Sequence, residues 1–275
     1  MSDHFPEPIR VLSDIHWRHP ISLVRRPEQL NPLFAGVGTV VFNGDTVEQQ
    51  RNGGAAAARE DAEVFAALCR KAGAVPVFVS GNHDPEVSDR PSLRLGEDRV
   101  LVTHGDVLFP EISVWAGSQP ELRARCEGLF RNGFAPSADG LDAIVGDVRT
   151  ACTDWIERRR GRLKADFRSF LLRQGCPPTR ALTILRCWWE SRDRGVGLAE
   201  RHAEETRLVV FGHSHFPGTW SRGNRLVVNT GSFFPLMGRS LVDIEQGRVT
   251  VRHIVRRNDA FHPGAVRRSW VLSDP

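Results

Sequence analysis

Five short stretches of this chain end in residues that bind metal ions or move protons. They are Asp14-x-His16, Asp45, Asn82-His83-Asp84, His104 and His213-x-His215. The residue types mix carboxylate, amide oxygen and imidazole. Such donors suit Mn²⁺, Fe²⁺/³⁺, Zn²⁺ or Co²⁺ better than Ca²⁺ or Mg²⁺, which prefer shells made of oxygen alone. Singly, each piece is ordinary. Gly-Asp is a common turn pair, Asp-x-His recurs by chance, and a lone His such as His104 is most often a packed, hydrogen-bonded residue. Together, each after its own apolar run, they point to one shared site.

The runs that must position them read as strands. Residues 9–12 lead to "SDIH", 37–42 to "NGD", 75–79 to "SGNHD", 100–102 to "THGD", 208–211 to "GHSH" and 226–228 to "NTGS". Each is rich in Val, Ile, Leu or Phe with little alternation, as expected of strands covered on both faces. In open α/β sheets, ligands collect beyond the carboxyl ends of strands. "AAAAREDAEVFAALCRKAG", 55–73, predicts a helix with apolar positions at 64, 65, 68 and 69 and Gly73 at its end. The unit is βαβ. Residues 240–254 alternate around Gln246-Gly247 and predict an antiparallel hairpin, so the sheet system is mixed. The tail after Arg256 has no clear pattern.

Residues 111–205 break this rhythm. Leu141, Ile144, Val145, Val148, Cys152 and Trp155 fall at helical spacing, as do Leu163, Phe167, Phe170 and Leu171. "CPPTR", 176–180, interrupts, with Thr179 as a cap for a helix through Trp189. The expected organisation is a core of 1–110 and 206–275 with a helical insertion over 111–205.

The 275 residues carry a net charge of +4, with 40% hydrophobic and 25% charged residues, which suits a globular α/β protein. No window reaches the run of about 20 apolar residues that spans a bilayer. "MSDHFPEPIR" lacks the features of a signal peptide, and a cytoplasmic location is expected. The five cysteines form no CxxC pair and read as reduced thiols. Positive charge concentrates in 151–194, with 11 Lys/Arg against 5 Asp/Glu.

The series D-x-H, GD, GNHD, H-G and GH-x-H, with "VNTGS" following, resembles the calcineurin-like metallophosphoesterases over residues 9–106 and 207–232. The resemblance implies an α/β, metallophosphoesterase-type sandwich of two mixed β-sheets flanked by helices, with a dinuclear metal centre at one edge and a helical insertion as cap. It implies that Asp14, His16 and His215 hold the first metal, and that Asn82, His104 and His213 hold the second. Asp45 bridges both, offsetting the repulsion of cations about 4 Å apart. Two divalent or trivalent transition metals are expected, manganese foremost, then iron, zinc or cobalt. A hydroxide bridging them attacks phosphorus, while His83 stabilises charge or protonates the leaving oxygen and Asp84 orients its ring. Glycines 44, 81, 105 and 212 let the backbone turn beside the metals.

Other residues are read more blandly. Arg18 and His19 are loop residues or the rim of a substrate mouth. Asp106 is a partner of a ligand His or a turn cap. The insertion carries Trp115, Trp155, Trp188 and Trp189 and "ERRRGRLK", 157–164. It reads as a solvated basic face, as a cap gripping an anionic substrate, or as a surface for anionic lipid headgroups. The UDP-diacylglucosamine hydrolases of lipid A synthesis are similar in an insertion at this place and in an "HGD" block, but read GNRD where this chain has GNHD. The expected activity is hydrolysis of a phosphate mono-, di- or pyrophosphate ester in a phosphorylated small molecule or lipid-linked substrate. The alternatives are a UDP-diacylglucosamine hydrolase-like pyrophosphatase at the inner face of the membrane and a metal-binding interaction scaffold. A nuclease is a minor reading, since no nucleic-acid module is attached.

Overall fold

Runs of β-branched and aromatic residues favour extended backbone and pay off only when both faces are covered. The computed structural model, which describes residues 4–50, 53–113, 116–129, 140–159, 178–202 and 204–272, covers them with two sheets and flanking helices. Strands β1 (Ile9–Leu12) and β2 (Thr39–Asn43) are buried at every residue, which explains why they show no period-2 alternation; the buried Arg10 of β1 pairs with Asp243 at 2.7 Å. They pair in parallel, and β2 pairs in parallel with β3 (Val75–Val79). Helix α1 (Asn31–Phe34) is a single turn, and α2 (Ala55–Lys71) makes the crossover between β2 and β3.

The second sheet is built from β4 (Ser92–Leu95), β5 (Val100–Thr103), β6 (Leu208–Phe211), β7 (Gly218–Arg222) and β8 (Arg225–Asn229), in the order β4-β5-β6-β8-β7. β5, β6 and β8 run parallel. The first sheet is completed by β9 (Ser240–Glu245), β10 (Arg248–Arg257) and β11 (Ala260–Val271), giving β11-β10-β9-β1-β2-β3. Both sheets are mixed.

Three apolar layers follow from this order. Val11, Val41 and Val79 of one sheet meet Val102, Val210 and Val228 of the other in the central layer. Fully burying such a side chain stabilises by about 1.5–3 kcal/mol. Phe42, Phe65 and Phe34 fill the layer under α1 and α2. The third layer joins the outer face of the second sheet, through Leu101, Val209, Phe211 and Val227, to the helices of the 111–205 stretch. These are α3 (Pro120–Gly128), α4 (Gly140–Arg159) and α5 (Pro178–His202). Leu141, Ile144, Val145, Val148 and Cys152 of α4 are buried there as their spacing predicts, with Trp155 packed at the margin.

Several local expectations need correction. Helix α2 buries Ala58, Ala62, Phe65, Ala66 and Cys69, whereas Val64 is 37% exposed. The small alanines, not Val64, set the contact face. Thr179 lies inside α5 rather than capping it, and the helix continues past Trp189 to His202. Strands β4, β7 and β11 went unread. In β11 the alternation is broken by Pro263 and by register shifts at Val251/Arg252 and Arg252/Ile254, which scramble a period-2 signal. The predicted hairpin stands: Gln246 and Gly247 have φ of 48° and 71°, the backbone of a two-residue primed turn. Leu163, Phe167, Phe170, Leu171, Trp115, "CP" of 176–177 and the larger part of "ERRRGRLK" lie outside the described residues.

Cys69, Cys126, Cys152 and Cys187 are free and buried. Burial pushes the Cys69 and Cys187 thiols up to about 12, so they stay protonated and inert. No described helix is long and apolar enough to cross a membrane.

Candidate metal centre

The parallel strands β1, β2, β5 and β6 point their carboxyl ends to one edge of the sandwich. Just beyond those ends the backbone turns through left-handed conformations. Asp14, His16, Asp45, His213 and His215 all have φ between 49° and 60°. Asp and His tolerate this region better than other residues, yet each such position costs about 1–3 kcal/mol. In both D-x-H and H-x-H the two outer residues are left-handed, which brings alternate side chains to the same place. Gly44 and Gly105 adopt φ of 75° and 108° and make the sharp turns expected of them. Gly81 and Gly212 serve differently, by leaving room. A Cβ on Gly212 would lie 2.0 Å from Asp14 Oδ2, and one on Gly81 would lie 2.4 Å from Asp45 Oδ1.

Two donor groups converge around one carboxylate. Asp14, His16, Asp45 and His215 bring ligand atoms within 4.8 Å of one another. His16 Nε2 is 3.2 Å from His215 Nε2 and 3.5 Å from Asp45 Oδ2. His215 Nε2 is 3.2 Å from Asp14 Oδ1. On the other side, Asn82 Oδ1 is 2.9 Å from His104 Nε2 and 2.8 Å from His213 Nδ1. Asp45 Oδ2 belongs to this group too, at 3.3 Å from His104 Nε2.

The ring tautomers explain what these contacts mean. His16 donates Nδ1–H to Glu48 Oε1 at 2.8 Å, and His104 donates Nδ1–H to the Asn43 carbonyl at 3.2 Å. In the neutral ring the remaining Nε2 carries a lone pair. The lone pair of His16 then faces another imidazole nitrogen and a carboxylate. That of His104 faces an amide oxygen and the same carboxylate. Acceptors aimed at one another at these distances repel unless a cation or proton lies between them. The mixed nitrogen and oxygen donors, their convergence and the held tautomers fit transition-metal cations.

Without a cation, protons carry the balance. Burial alone would push His104 down, but the Asp45 carboxylate beside it, with Asp14 and Asp106, holds it well above the ordinary imidazole range. Burial and the His104 charge push His213 down to about 3. Burial also lowers His215, against Asp14. Burial would raise Asp45, but His104, His83 and His16 hold it well below the usual carboxylate range.

Glu48 is the residue that motif reading missed. It is 2% exposed, and its second oxygen lies 3.2 Å from His83 Nδ1. One buried carboxylate therefore orients both a candidate ligand, His16, and the partly exposed His83. Burial opposes its ionisation, but His83 and His16 overcome this and hold it far below the ordinary range. In reverse, burial would depress His83, but Glu48 and then Asp45 raise it to about 9. The sequence signal was an acid three residues after Asp45, in "GDTVE".

Asp84 does not orient His83. Its Oδ1 accepts the backbone N–H of Asp45 and Gly81 at 2.9 and 2.8 Å, and its Oδ2 accepts those of Thr46 and Val47 at 2.7 and 3.2 Å. It pins the β2 loop to the GNHD loop. Burial and the Asp45 charge raise it to about 6, against those backbone bonds. Asp106 takes the turn-cap role, accepting Val107 N–H at 3.1 Å. Arg18 pairs with Asp61 at 2.8 Å over the Trp17 ring. His19 is buried beside Phe234 and accepts the Ile21 N–H.

The helical stretch reaches the centre at three points. Ser113 Oγ lies 3.1 Å from His213 Nε2. Trp188 donates its indole N–H to the Ser214 carbonyl at 2.9 Å and stacks on Phe216. Arg149 donates to the Pro85 carbonyl. On the opposite side, Phe234 stacks on His16 at 4.5 Å.

No protein-family model and no curated protein matches the chain. Among solved structures it is similar to Vacuolar Protein Sorting 29 from Cryptosporidium parvum, at 12% identity and a TM-score of 0.44, covering 98% of this chain and 100% of that one. A predicted phosphoesterase from Streptococcus pneumoniae matches at 16% identity and a TM-score of 0.38, covering 98% and 99%. A Zn²⁺ complex of Vps29 from Entamoeba histolytica matches at 14% identity and 0.41, covering 97% and 100%. Scores of this size carry no function from those proteins to this chain. The two mixed sheets and their flanking helices bring the motif-bearing turns to one edge of the sandwich.

Proposed function

We propose that the chain is a dinuclear metal-dependent phosphoesterase, hydrolysing a phosphate mono-, di- or pyrophosphate ester. One observation carries the reading: side chains from separate strand ends form two donor groups that share Asp45 Oδ2, 3.5 Å from His16 Nε2 and 3.3 Å from His104 Nε2. Asp14, His16 and His215 would hold one cation, Asn82, His104 and His213 the other, and Asp45 both. When bound, transition-metal cations, manganese foremost, supply Lewis-acid charge to phosphoryl oxygens and lower the pKa of water. His83, its side chain 29% exposed and held through Nδ1 by Glu48, would donate a proton to the leaving oxygen. Glu48, which is not one of the proposed ligands, would favour the protonated ring there. Asp84 would act at a distance, by fixing the loop that carries Asp45.

The test is turnover of nitrophenyl phosphate mono- and diesters with added Mn²⁺, alongside Asp45→Ala and His104→Ala. Turnover that survives both substitutions rules the assignment out. Absence of turnover in metal-replete wild type, with the metals bound, favours the scaffold reading.

A second observation favours contact with another surface. Leu182, Leu185 and Trp189 of α5 are 65%, 54% and 86% exposed, and their spacing puts them on one face of the helix. With the basic charge of this stretch, the reading is a domain of 111–205 that brings a core of 1–110 and 206–275 to a membrane-borne, lipid-linked substrate, as in a UDP-diacylglucosamine hydrolase-like enzyme. Sedimentation with anionic vesicles, lost on Leu185→Asp and Trp189→Asp, supports it. Equal sedimentation of variant and wild type removes it.

A further inference from the structure

Arg239 and Arg256 meet at the corner where β9 begins and β10 ends, and Arg26 joins them through Asp259. Arg239 and Arg256 lie over one buried ring, Phe261, at 5.5 and 5.7 Å from its centroid. Arg256 also bonds Asp259 Oδ1, and Arg26 Nη2 is 2.8 Å from Asp259 Oδ2. Gln29 donates to the same carboxylate at 2.9 Å. Arg256 and Arg26 therefore share one carboxylate, whose two oxygens are both engaged. Arg239 is left over. Its Nε–H is enclosed and meets no acceptor among the described residues, and no ion pair is formed by its guanidinium there. Burial, then the Arg256 charge, pull its pKa below the ordinary range. A ring face positions a guanidinium, but it does not replace an acceptor, and half-buried cations normally have one.

The corner lies on the edge that carries the metal centre. β9 runs antiparallel to β1, with Val242 opposite Val11, so Arg239 enters the sheet at the end where β1 delivers Asp14. The loop leading to Arg239 donates Phe233 N–H to the Asp14 carbonyl at 3.0 Å and carries Phe234, which stacks on His16. We propose that Arg239, Arg256 and Arg26 form a binding site for a phosphate-like oxyanion, beside the metal centre and separate from it. Guanidinium forks match such anions with paired N–H donors.

The test uses the full chain stripped of metal with a chelator, unfolded by heat with and without inorganic phosphate at matched ionic strength. Phosphate is expected to raise the wild-type Tm by about 2–4 °C. Arg239→Gln and Arg256→Gln should abolish the rise, and His104→Ala should retain it. In phosphate-free buffer Arg239→Gln should melt no lower than wild type, because it removes a charge that faces another. The proposal is overturned if wild type does not respond to phosphate, if the response survives Arg239→Gln, or if it vanishes with His104→Ala. A kinetic arm, which alone rests on the hydrolase reading, reads the source of the anion. A KM raised about tenfold by Arg239→Gln only for a substrate with a second phosphate assigns the anion to the substrate. An unchanged KM for both that substrate and nitrophenyl phosphate assigns it to free phosphate, and a KM raised for nitrophenyl phosphate overturns the separation of the site from the metal centre.

Discussion

The two donor groups around Asp45 are built from similar residues but differ in charge. The Asp14, His16 and His215 group contains two carboxylates with Asp45, and a third, Glu48, stands behind the His16 ring. The Asn82, His104 and His213 group has Asp45 as its sole carboxylate. Its rings are held by neutral partners, the Asn43 carbonyl and the Ser113 hydroxyl. Charge-assisted partners hold a ring more firmly and raise its basicity. The first group should therefore bind its cation more tightly and release it later on chelation. A shared fold edge can thus carry two sites of unequal affinity, set by what stands behind the ligands.

The shared carboxylate should matter most, because it belongs to both groups. Asp45→Ala is expected to lower kcat by about 10³-fold or more, as several kcal/mol of charge stabilisation are lost, and metal analysis should show both cations gone. Loss of one cation alone would mean that Asp45 is not shared. Asp84→Ala should come next and act on both groups together. It leaves four backbone N–H groups without their acceptor, and destabilisation of about 1–3 kcal/mol is expected in denaturant unfolding.

Glu48→Gln separates the two groups. It should weaken the first cation by about 10–100-fold and leave the second nearly unchanged, as read by competitive chelation. The same variant has a pH signature in metal-free protein. His83 is raised to about 9 in the folded state by Glu48 and Asp45, against burial. A raised imidazole stabilises the fold fully below its unfolded pKa of about 6.5, and that contribution is lost as pH rises towards 9. Metal-free wild type should lose stability across this window, and Glu48→Gln should lose less; parallel curves would show that Glu48 does not set His83. The smallest effect is expected from Ser113→Ala, which removes a neutral partner of His213: a loss of second-site affinity below about tenfold. An effect as large as that of Glu48→Gln would erase the distinction between the groups.

Most of the ligand edge could be read from the chain. A carboxylate or imidazole placed just after a doubly buried strand must emerge at that strand's end, so Asp14, Asp45, His104 and His213 announced a common edge before any contact was known. The interior of 111–205 was legible in α4, where the apolar spacing is regular. Strands β7 and β11 were not legible, because β7 is short and Pro263 and register shifts hide the alternation of β11. Glu48 was hidden because nothing local distinguishes a carboxylate that bridges two rings from one that faces water.

Residue type and order along the chain suffice for the strands that end at the ligand edge, the turn at Gln246-Gly247 and the candidate side chains beyond those strands, because period, β-branching and turn chemistry act over a few neighbours. Which donor side chains converge, that Asp84 staples loops rather than a ring, that Glu48 reaches both His16 and His83, and that Arg239 Nε meets no acceptor among the described residues all depend on contacts between residues up to two hundred positions apart. Those are settled by the packing of one sheet on the other, through left-handed turns whose local cost only long-range contacts can offset.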